Sequence, residues 1–297
     1  MKKSNKFLDG PKVGMPTSVW DIVLLPFLFM LVMSIGFGIV DLVVQGLYSV
    51  GVVKVDRFNN YYYYIQLIGG FGLGILVLFL FVQKTGKRSI KTLGLYKEKA
   101  ITYYLSGVGL ALVGILGIIM MLQKTGSIEV TLQKTQLSIH TVLLGSVILM
   151  AWILQGAAEE VLVRGYLLPT IAAKTDMITG VIVSSIAFAL MHIGNNGVSM
   201  IGLMNILLCG VMLALLAIRQ ESLWGVCGFH TMWNLLQGNV FGIAVSGNGE
   251  MPSIWKTTYE EPSYWNGGLF GIEGSILTTI FMIISIIILV RLLNKEI

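Results

Sequence analysis

Residues 19–50 read VWDIVLLPFLFMLVMSIGFGIVDLVVQGLYSV, an apolar run with only two charged side chains, Asp21 and Asp41. An α-helix needs about 20 apolar residues to cross about 30 Å of hydrocarbon, so this run is long enough to span a bilayer. The composition of the whole chain is also apolar, since 55% of its 297 residues are hydrophobic and 12% are charged. Ordinary soluble domains carry about 25% charged residues, so the composition excludes that class. We therefore predict an all-α integral membrane protein.

Seven further apolar runs follow between polar breaks, which gives about eight predicted transmembrane helices. They cover residues 19–50, 62–82, 101–122, 143–172, 178–193, 198–218, 223–245 and 269–293. These runs divide the chain into about three N-terminal membrane helices (1–142), a four-helix core (143–245), and an outer loop with a C-terminal helix (246–297). The first 17 residues are polar and basic, and the run after them is too long for a signal peptide. We expect the first span to be retained.

Lysines and arginines are distributed unevenly over the predicted loops. If the N-terminus is cytoplasmic, all but five of the 20 basic residues fall on the cytoplasmic side. The five on the outer side are Lys54, Arg57, Lys124, Lys134 and Lys256. Because basic residues of short loops stay in the cytoplasm, the split predicts a multi-pass protein with both ends cytoplasmic. It also explains the net charge of +5 without a nucleic-acid partner.

Polar side chains inside the predicted spans concentrate in one part of the chain. They are Glu159, Glu160, Arg164, His192, His230 and Asn234. An ionisable side chain costs about 3 kcal/mol at the centre of a membrane helix, so proteins that keep such residues generally use them. For Asp21, Asp41 and Glu273, which stand alone, structural pairing or an interfacial position is the better interpretation.

Helix geometry allows the fourth and fifth spans to bring their polar residues together. Glu159 lies 16 residues before Thr175, and His192 lies 16 residues after Asp176, on either side of one polar turn. At about 1.5 Å per residue both are about 24 Å from that turn, so we expect them to lie at the same level.

Spacing within single helices predicts two side-chain pairs. Glu160 and Arg164 are four residues apart and can form an ion pair, and His230 and Asn234 can pair in the same way. Glu159 lies about 100° around the helix from Glu160 and stays free for chemistry.

This set of residue types suits two kinds of chemistry. A carboxylate beside a neutral imidazole can act as a general base on water, and a second histidine with an amide can stabilise an oxyanion. The same groups suit one divalent metal such as zinc, held at Glu159, His192 and His230. The residues alone leave both alternatives open, as well as simple hydrogen bonding between helices.

Three ordered motifs carry a resemblance to a known family. They are Glu159-Glu160-x-x-x-Arg164, Phe188-x-x-x-His192 and His230-x-x-x-Asn234. In these motifs the chain resembles the CAAX protease and bacteriocin-processing family, which includes type II CAAX prenyl endopeptidases and many bacterial membrane proteins. The likeness covers about 143–245, which would be the catalytic core. The glycine-rich segment GGLFGIEG at 267–274 is a weaker likeness to bacterial members.

The resemblance implies an intramembrane endopeptidase, glutamate-dependent or metal-dependent, in the plasma membrane of a bacterium. Glu159 would be the general base, aided by His192. His230 and Asn234 would bind the oxyanion or a metal, and Glu160 and Arg164 would organise the site. The substrate would be a peptide or membrane protein, as in bacteriocin or pheromone maturation, bacteriocin immunity or surface-protein processing. The alternative is a non-catalytic immunity factor or scaffold, or a proton-coupled transporter.

Overall fold

The computed structural model describes residues 5–9, 19–52, 55–84, 87–134 and 138–296. The α-helices are α1 (Lys6–Asp9), α2 (Val19–Ser49), α3 (Val55–Lys84), α4 (Ala100–Lys124), α5 (Ile139–Glu160), α6 (Leu168–Lys174), α7 (Met177–Leu190), α8 (Met200–Gln220), α9 (Trp224–Asn234) and α10 (Ile276–Glu296). Two π-helical turns, Val161–Leu167 and Leu235–Val240, continue α5 and α9. The 3₁₀ turns are Ile90–Leu93, Gly268–Phe270 and Ile272–Gly274. Outside the described residues lie the basic residues Lys2, Lys3, Lys12 and Lys54, and the side chains of Asp21 and Arg57.

Six helical segments among the described residues are long and apolar enough to cross a membrane. They are Val23–Ser49, Asn60–Lys84, Ala100–Lys124, Ile139–Lys174, Met200–Gln220 and Ile276–Lys295. The predicted all-α membrane fold is thereby confirmed. The count of eight spans is not, because α7 has only 14 residues and α9 only 11. At 1.5 Å per residue, α7 is about 21 Å long, less than the about 30 Å of hydrocarbon.

Two predicted span boundaries differ from the structure because glycine and polar residues end the helices. α7 stops at Leu190, so His192 lies in a turn that leads through Gly194 and Gly197 to α8. The last helix begins at Ile276 rather than at residue 269. Residues before it fold into two 3₁₀ turns. Non-helical backbone at membrane depth is tolerated where it packs against protein or lines a cavity.

Helix α9 packs against α4, α5 and α8. Glycines permit its close approach to α4: a Cβ on Gly107 would lie 1.8 Å from the Gly225 carbonyl oxygen. A Cβ on Gly228 would lie 2.1 Å from the carbonyl oxygen of Tyr104. Membrane helices associate through such small residues because lipid gives no hydrophobic force between them. The rotation and depth of α9 are therefore fixed by backbone contact with α4.

The two ends of the helical bundle are closed differently. At one end, β1 (Ile128–Leu132) pairs antiparallel with β2 (Trp255–Tyr259) and joins the loop after α4 to the loop before α10. At the other end, the Leu223 amide donates to the Gly94 carbonyl at 3.0 Å, and Lys6 donates its amide to Glu221. The basic segment 87–99 thus lies beside the turn between α8 and α9.

One isolated polar residue of the N-terminal spans is paired. Asp41 on α2 accepts hydrogen bonds from the Tyr62 hydroxyl on α3 and from Gln45 Nε2 at 2.9 Å. Structural pairing, as the sequence predicts, accounts for this carboxylate. It ties α2 to α3, against which α2 packs.

We expect Gly107→Ala to lower the free energy of unfolding by about 1–3 kcal/mol. The measurement is the melting temperature of the detergent-solubilised protein, which should fall. The added Cβ meets backbone, which cannot rotate away, so α4 and α9 must separate. Gly109→Ala on the same helix is the control, since a Cβ there meets nothing within 4 Å. Equal melting of the two variants would contradict the close contact between α4 and α9.

The charge distribution predicts that a reporter fused after Lys91 is cytoplasmic and one fused after Glu260 is external. Both residues are exposed and lie at opposite ends of the bundle. A reversed result at both sites would invert the orientation, and a reversal at one site alone would overturn the order of the spans.

Candidate active site

A cavity of about 430 Å³ lies among helices α2, α3, α5, α8, α9 and α10 and the turn after α7. Its polar lining includes Tyr63, Gln155, Glu159, His192, His230, Asn234 and Glu273. Its apolar lining includes Met30, Met33, Phe37, Phe71 and Met282. Four of the six predicted site residues therefore line one cavity. Glu159 and His192 are among them, as their equal distance from the turn between the two helices predicts. Glu160 and Arg164 are fully buried in the protein beside it.

The predicted ion pair between Glu160 and Arg164 is present. Arg164 Nη1 donates to Glu160 Oε1 at 2.8 Å, and both side chains are 0% exposed. Arg164 Nη2 donates to the Gly210 carbonyl on α8 at 3.3 Å. The guanidinium also lies 4.2 Å from the ring centroid of Phe188 on α7. Arg164, in the π-helical turn that continues α5, thus links this helix to α7 and α8.

His230 contacts both adjacent glutamates of α5. Its Nδ1 lies 2.9 Å from Glu160 Oε1, and its Nε2 lies 3.8 Å from Glu159 Oε2. A carboxylate only accepts hydrogen bonds, so we assign the Nδ1 proton to the bond with Glu160. Glu160 therefore orients the imidazole with Nε2 towards Glu159. A Cβ on Gly156 would lie 3.2 Å from His230 Cβ, a tight contact, so the glycine eases this approach.

Glu159 is buried, with different surroundings at its two oxygens. Oε1 accepts a hydrogen bond from Gln155 Nε2 at 2.8 Å. Oε2 has no hydrogen-bond partner among the described residues and is 3.8 Å from His230 Nε2, too far for a direct bond. Glu159 therefore has one carboxylate oxygen that is buried without a protein donor.

His192 reaches the cavity from the turn after α7. Its Nδ1 lies 2.9 Å from the Phe188 carbonyl oxygen, which can only accept, so Nδ1 carries the hydrogen. In this tautomer Nε2 is the hydrogen-bond acceptor of the ring. The Phe188 ring packs against both histidines, with centroid distances of 4.8 Å to His192 and 6.3 Å to His230. The phenylalanine of the second motif thus spaces the two imidazoles.

The residues do not assemble into a metal site in this geometry. Within the part of the chain that the structure describes, no group of three His, Cys, Asp or Glu side chains could hold a metal ion. The predicted ligand set of Glu159, His192 and His230 therefore does not fit a three-ligand centre here, and no step below is routed through a metal. Metal dependence stays a prediction for the chelator experiment.

The sequence prediction of the site does not include Gln155 and Tyr63, two of the polar residues that line the cavity. Gln155 lies one helical turn before Glu159, so the same four-residue spacing that identified Arg164 could have found it. It also accepts a hydrogen bond from Asn234 Nδ2 at 2.7 Å. The predicted partner of Asn234 was His230, and the structure gives it Gln155 on another helix instead. Tyr63 lies among other tyrosines, and nothing in the sequence distinguishes it.

Glu273 also lines the cavity, although it stands alone in the sequence. Its Oε2 accepts from the Ser246 amide at 2.6 Å and from the Ser246 hydroxyl at 2.7 Å, and its Oε1 accepts from Trp233 Nε1 at 3.2 Å. Glu273 lies in the 3₁₀ turn before α10, where burial raises the pKa of its carboxyl and the bonds from Ser246 oppose that rise. It is structurally paired, as the sequence predicts, and ties the glycine-rich segment to α9.

The fold and the cavity define a polytopic membrane protein with a buried site of carboxylates and histidines. Residues 141–236 match a protein-family model, described as Rce1-like, type II CAAX prenyl endopeptidase Rce1-like. The matched segment contains all three motifs, so the predicted resemblance is confirmed over these residues. A search of the curated proteins and a search of the solved structures found no match.

We expect Arg164→Ala to lower the melting temperature, because it leaves the Glu160 carboxylate buried without its cation. Breaking such a pair costs about 3–5 kcal/mol. Arg164→Lys should recover part of the stability but less of the activity, because an ammonium lacks the planar fork that fixes a carboxylate. Melting in detergent and turnover are measured together. The control is Arg291→Ala, because Arg291 is exposed. If Arg164→Ala had the melting temperature of the wild type, that result would contradict the buried ion pair.

Proposed function

We propose that this chain is an intramembrane endopeptidase that hydrolyses a peptide bond in a peptide or membrane-associated protein by direct attack of water. One observation carries the proposal: Glu159 lines a polar cavity together with His192, His230 and Asn234, and its buried Oε2 has no hydrogen-bond partner among the described residues. The match of 141–236 to a CAAX endopeptidase model supports the protease class.

Glu159 and His192 activate the water. Glu159 Oε2 accepts a proton from the water while the water oxygen attacks the scissile carbonyl carbon, and the carbonyl electron pair moves onto its oxygen. Nε2 of His192 accepts a hydrogen bond from the other O–H of the water, which keeps that hydrogen, and so orients the nucleophile. When the oxyanion collapses, the C–N bond breaks and Glu159 returns the proton to the leaving nitrogen. Atoms and charge balance without a covalent enzyme intermediate.

His230 and Asn234 stabilise the oxyanion. The His230 ring lies between the carboxylates of Glu160 and Glu159, with Nδ1 2.9 Å and Nε2 3.8 Å from their oxygens. When the ring is protonated, Nδ1–H stays on Glu160, and Nε2–H lies on the Glu159 side of the cavity, where it donates to the oxyanion that forms beside the attacking water. Asn234 uses one amide hydrogen on Gln155 and keeps the other for substrate. Donors aimed at the developing charge are typically the largest single contribution to such catalysis.

Glu159→Gln should reduce cleavage at least about 100-fold, because it keeps size and removes the base. Expression and membrane insertion should stay near wild type. The assay uses purified protein in liposomes with quenched fluorescent peptides, in matched sets with and without a farnesylated cysteine, so that the preferred set identifies the substrate class. Glu260→Gln, an exposed carboxylate far from the cavity, is the control. Retention of substantial activity by Glu159→Gln would rule out Glu159 as the base.

Substitution of either histidine should be similarly severe. The two histidines act together with Glu159 in one reaction, so His192→Ala and His230→Ala should each remove most of the activity. The double variant should therefore be no less active than either single variant. The same assay with and without a chelator separates a glutamate mechanism from a metal-dependent one. A scaffold or immunity factor would retain its cellular effect in Glu159→Gln, and that result would favour the non-catalytic alternative.

A further inference from the structure

A buried chain of hydrogen bonds connects Glu159, the proposed base, through Gln155 to Asn234, the proposed donor to the oxyanion. Asn234 Nδ2 on α9 donates to Gln155 Oε1 at 2.7 Å, and Gln155 Nε2 on α5 donates to Glu159 Oε1 at 2.8 Å. All three side chains are at least nine-tenths buried and line the cavity. Gln155 lies outside the three sequence motifs.

We infer that Gln155 is a positioning residue of the hydrolytic site, which holds Glu159 and Asn234 in the orientations that the reaction needs. The inference rests on the proposed function. Gln155 acts through these two residues and is assigned no contact with substrate.

The chemistry of Glu159 fixes the direction of the chain. An ionised carboxylate can only accept, so Gln155 must turn its NH₂ group towards Glu159 and its carbonyl oxygen the other way. That oxygen can only accept, so Asn234 must in turn present its NH₂ group. The orientations of both amides, which are ordinarily assigned from their surroundings, therefore follow from a single carboxylate.

This arrangement leaves each functional group one free position. Glu159 Oε1 accepts a charge-assisted hydrogen bond from Gln155, about twice as strong as a neutral one, whereas Oε2 has no hydrogen-bond partner among the described residues. Asn234 keeps one amide hydrogen for the oxyanion. Because the same glutamine bonds both residues, it couples the orientation of the base on α5 to that of the oxyanion donor on α9.

The backbone beside Gln155 supports the assignment. The next residue, Gly156, approaches α9 so closely that a Cβ there would lie 3.2 Å from His230 Cβ and 3.2 Å from the Thr231 amide nitrogen. This contact holds α5 and α9 at the distance that one glutamine side chain can bridge.

The test compares two Gln155 variants with a matched control. Gln155→Leu removes both hydrogen bonds, and Gln155→Glu keeps size and polarity but loses the NH₂ donor, in case leucine impairs folding. Gln220→Leu is the control, because Gln220 is also a buried glutamine that bonds another helix, through Ser106 at 3.0 Å, away from the cavity. A purely structural glutamine would make the two sites behave alike.

The first readout needs no turnover. The infrared carboxylate band that disappears in Glu159→Gln is assigned to Glu159, and we expect it to shift in both Gln155 variants and not in Gln220→Leu. The second readout is kinetic. We expect kcat to fall at least about tenfold in Gln155→Leu with little change in KM, because the substrate contacts are intact. The Gln155→Leu/Asn234→Leu double variant should lose less activity than the product of the two single losses, because part of the effect of Gln155 passes through Asn234.

The two readouts separate the inference from the proposed function. If the wild type cleaves no peptide but the Glu159 band shifts, the contact is supported and the protease assignment fails. An unmoved band in both Gln155 variants overturns the inference, whatever the activity. Equal kinetic losses in Gln155→Leu and Gln220→Leu also overturn it, because they indicate a general packing effect.

Discussion

The buried ion pair between Arg164 and Glu160 is the interaction on which the rest of the site depends. In a low-dielectric interior neither charge is tolerated alone, so the pair constrains everything that it touches. Arg164 reaches Gly210 on α8 and the Phe188 ring on α7, and Glu160 reaches His230 on α9. Four elements that are distant in sequence are thereby held around one fully buried salt bridge.

The motif helices are irregular at the motif residues. A π-helical turn begins directly after Glu160, and another begins directly after Asn234. α7 ends two residues before His192. Such turns occur frequently at functional sites, because a wider turn changes which side chains point inward. Their cost at membrane depth is limited here because the segments pack against protein or line the cavity.

Hydropathy and helix spacing predict much of this molecule. The apolar runs place the membrane helices, the four-residue spacing predicts the Glu160–Arg164 pair, and counting from a shared turn brings Glu159 and His192 to one cavity. These features depend on local geometry or on one hairpin, so the sequence contains enough information for them. The family resemblance adds roles for the residues, and those roles stay predictions.

Contacts between non-adjacent helices could not be predicted in this way. The approach of His230 to Glu160 depends on the rotation of α9, which is set by the backbone contacts of Gly107 and Gly228 with neighbouring helices. Hydropathy does not report such rotations. Asn234 therefore has an unexpected partner in Gln155. The position of Glu273 at the cavity likewise depends on the glycine-rich turn before α10. Hydropathy assigns this turn to the beginning of the last membrane span.

The balance of charge at the site explains why proton transfer is its natural chemistry. The site brings together three carboxylates, those of Glu159, Glu160 and Glu273, and one guanidinium, that of Arg164, so carboxylates outnumber guanidinium groups there. Such an excess is costly away from water and is relieved by taking up protons or a cation. The proposed hydrolysis uses the first route, since a proton leaves water, rests on Glu159 and departs with the amine.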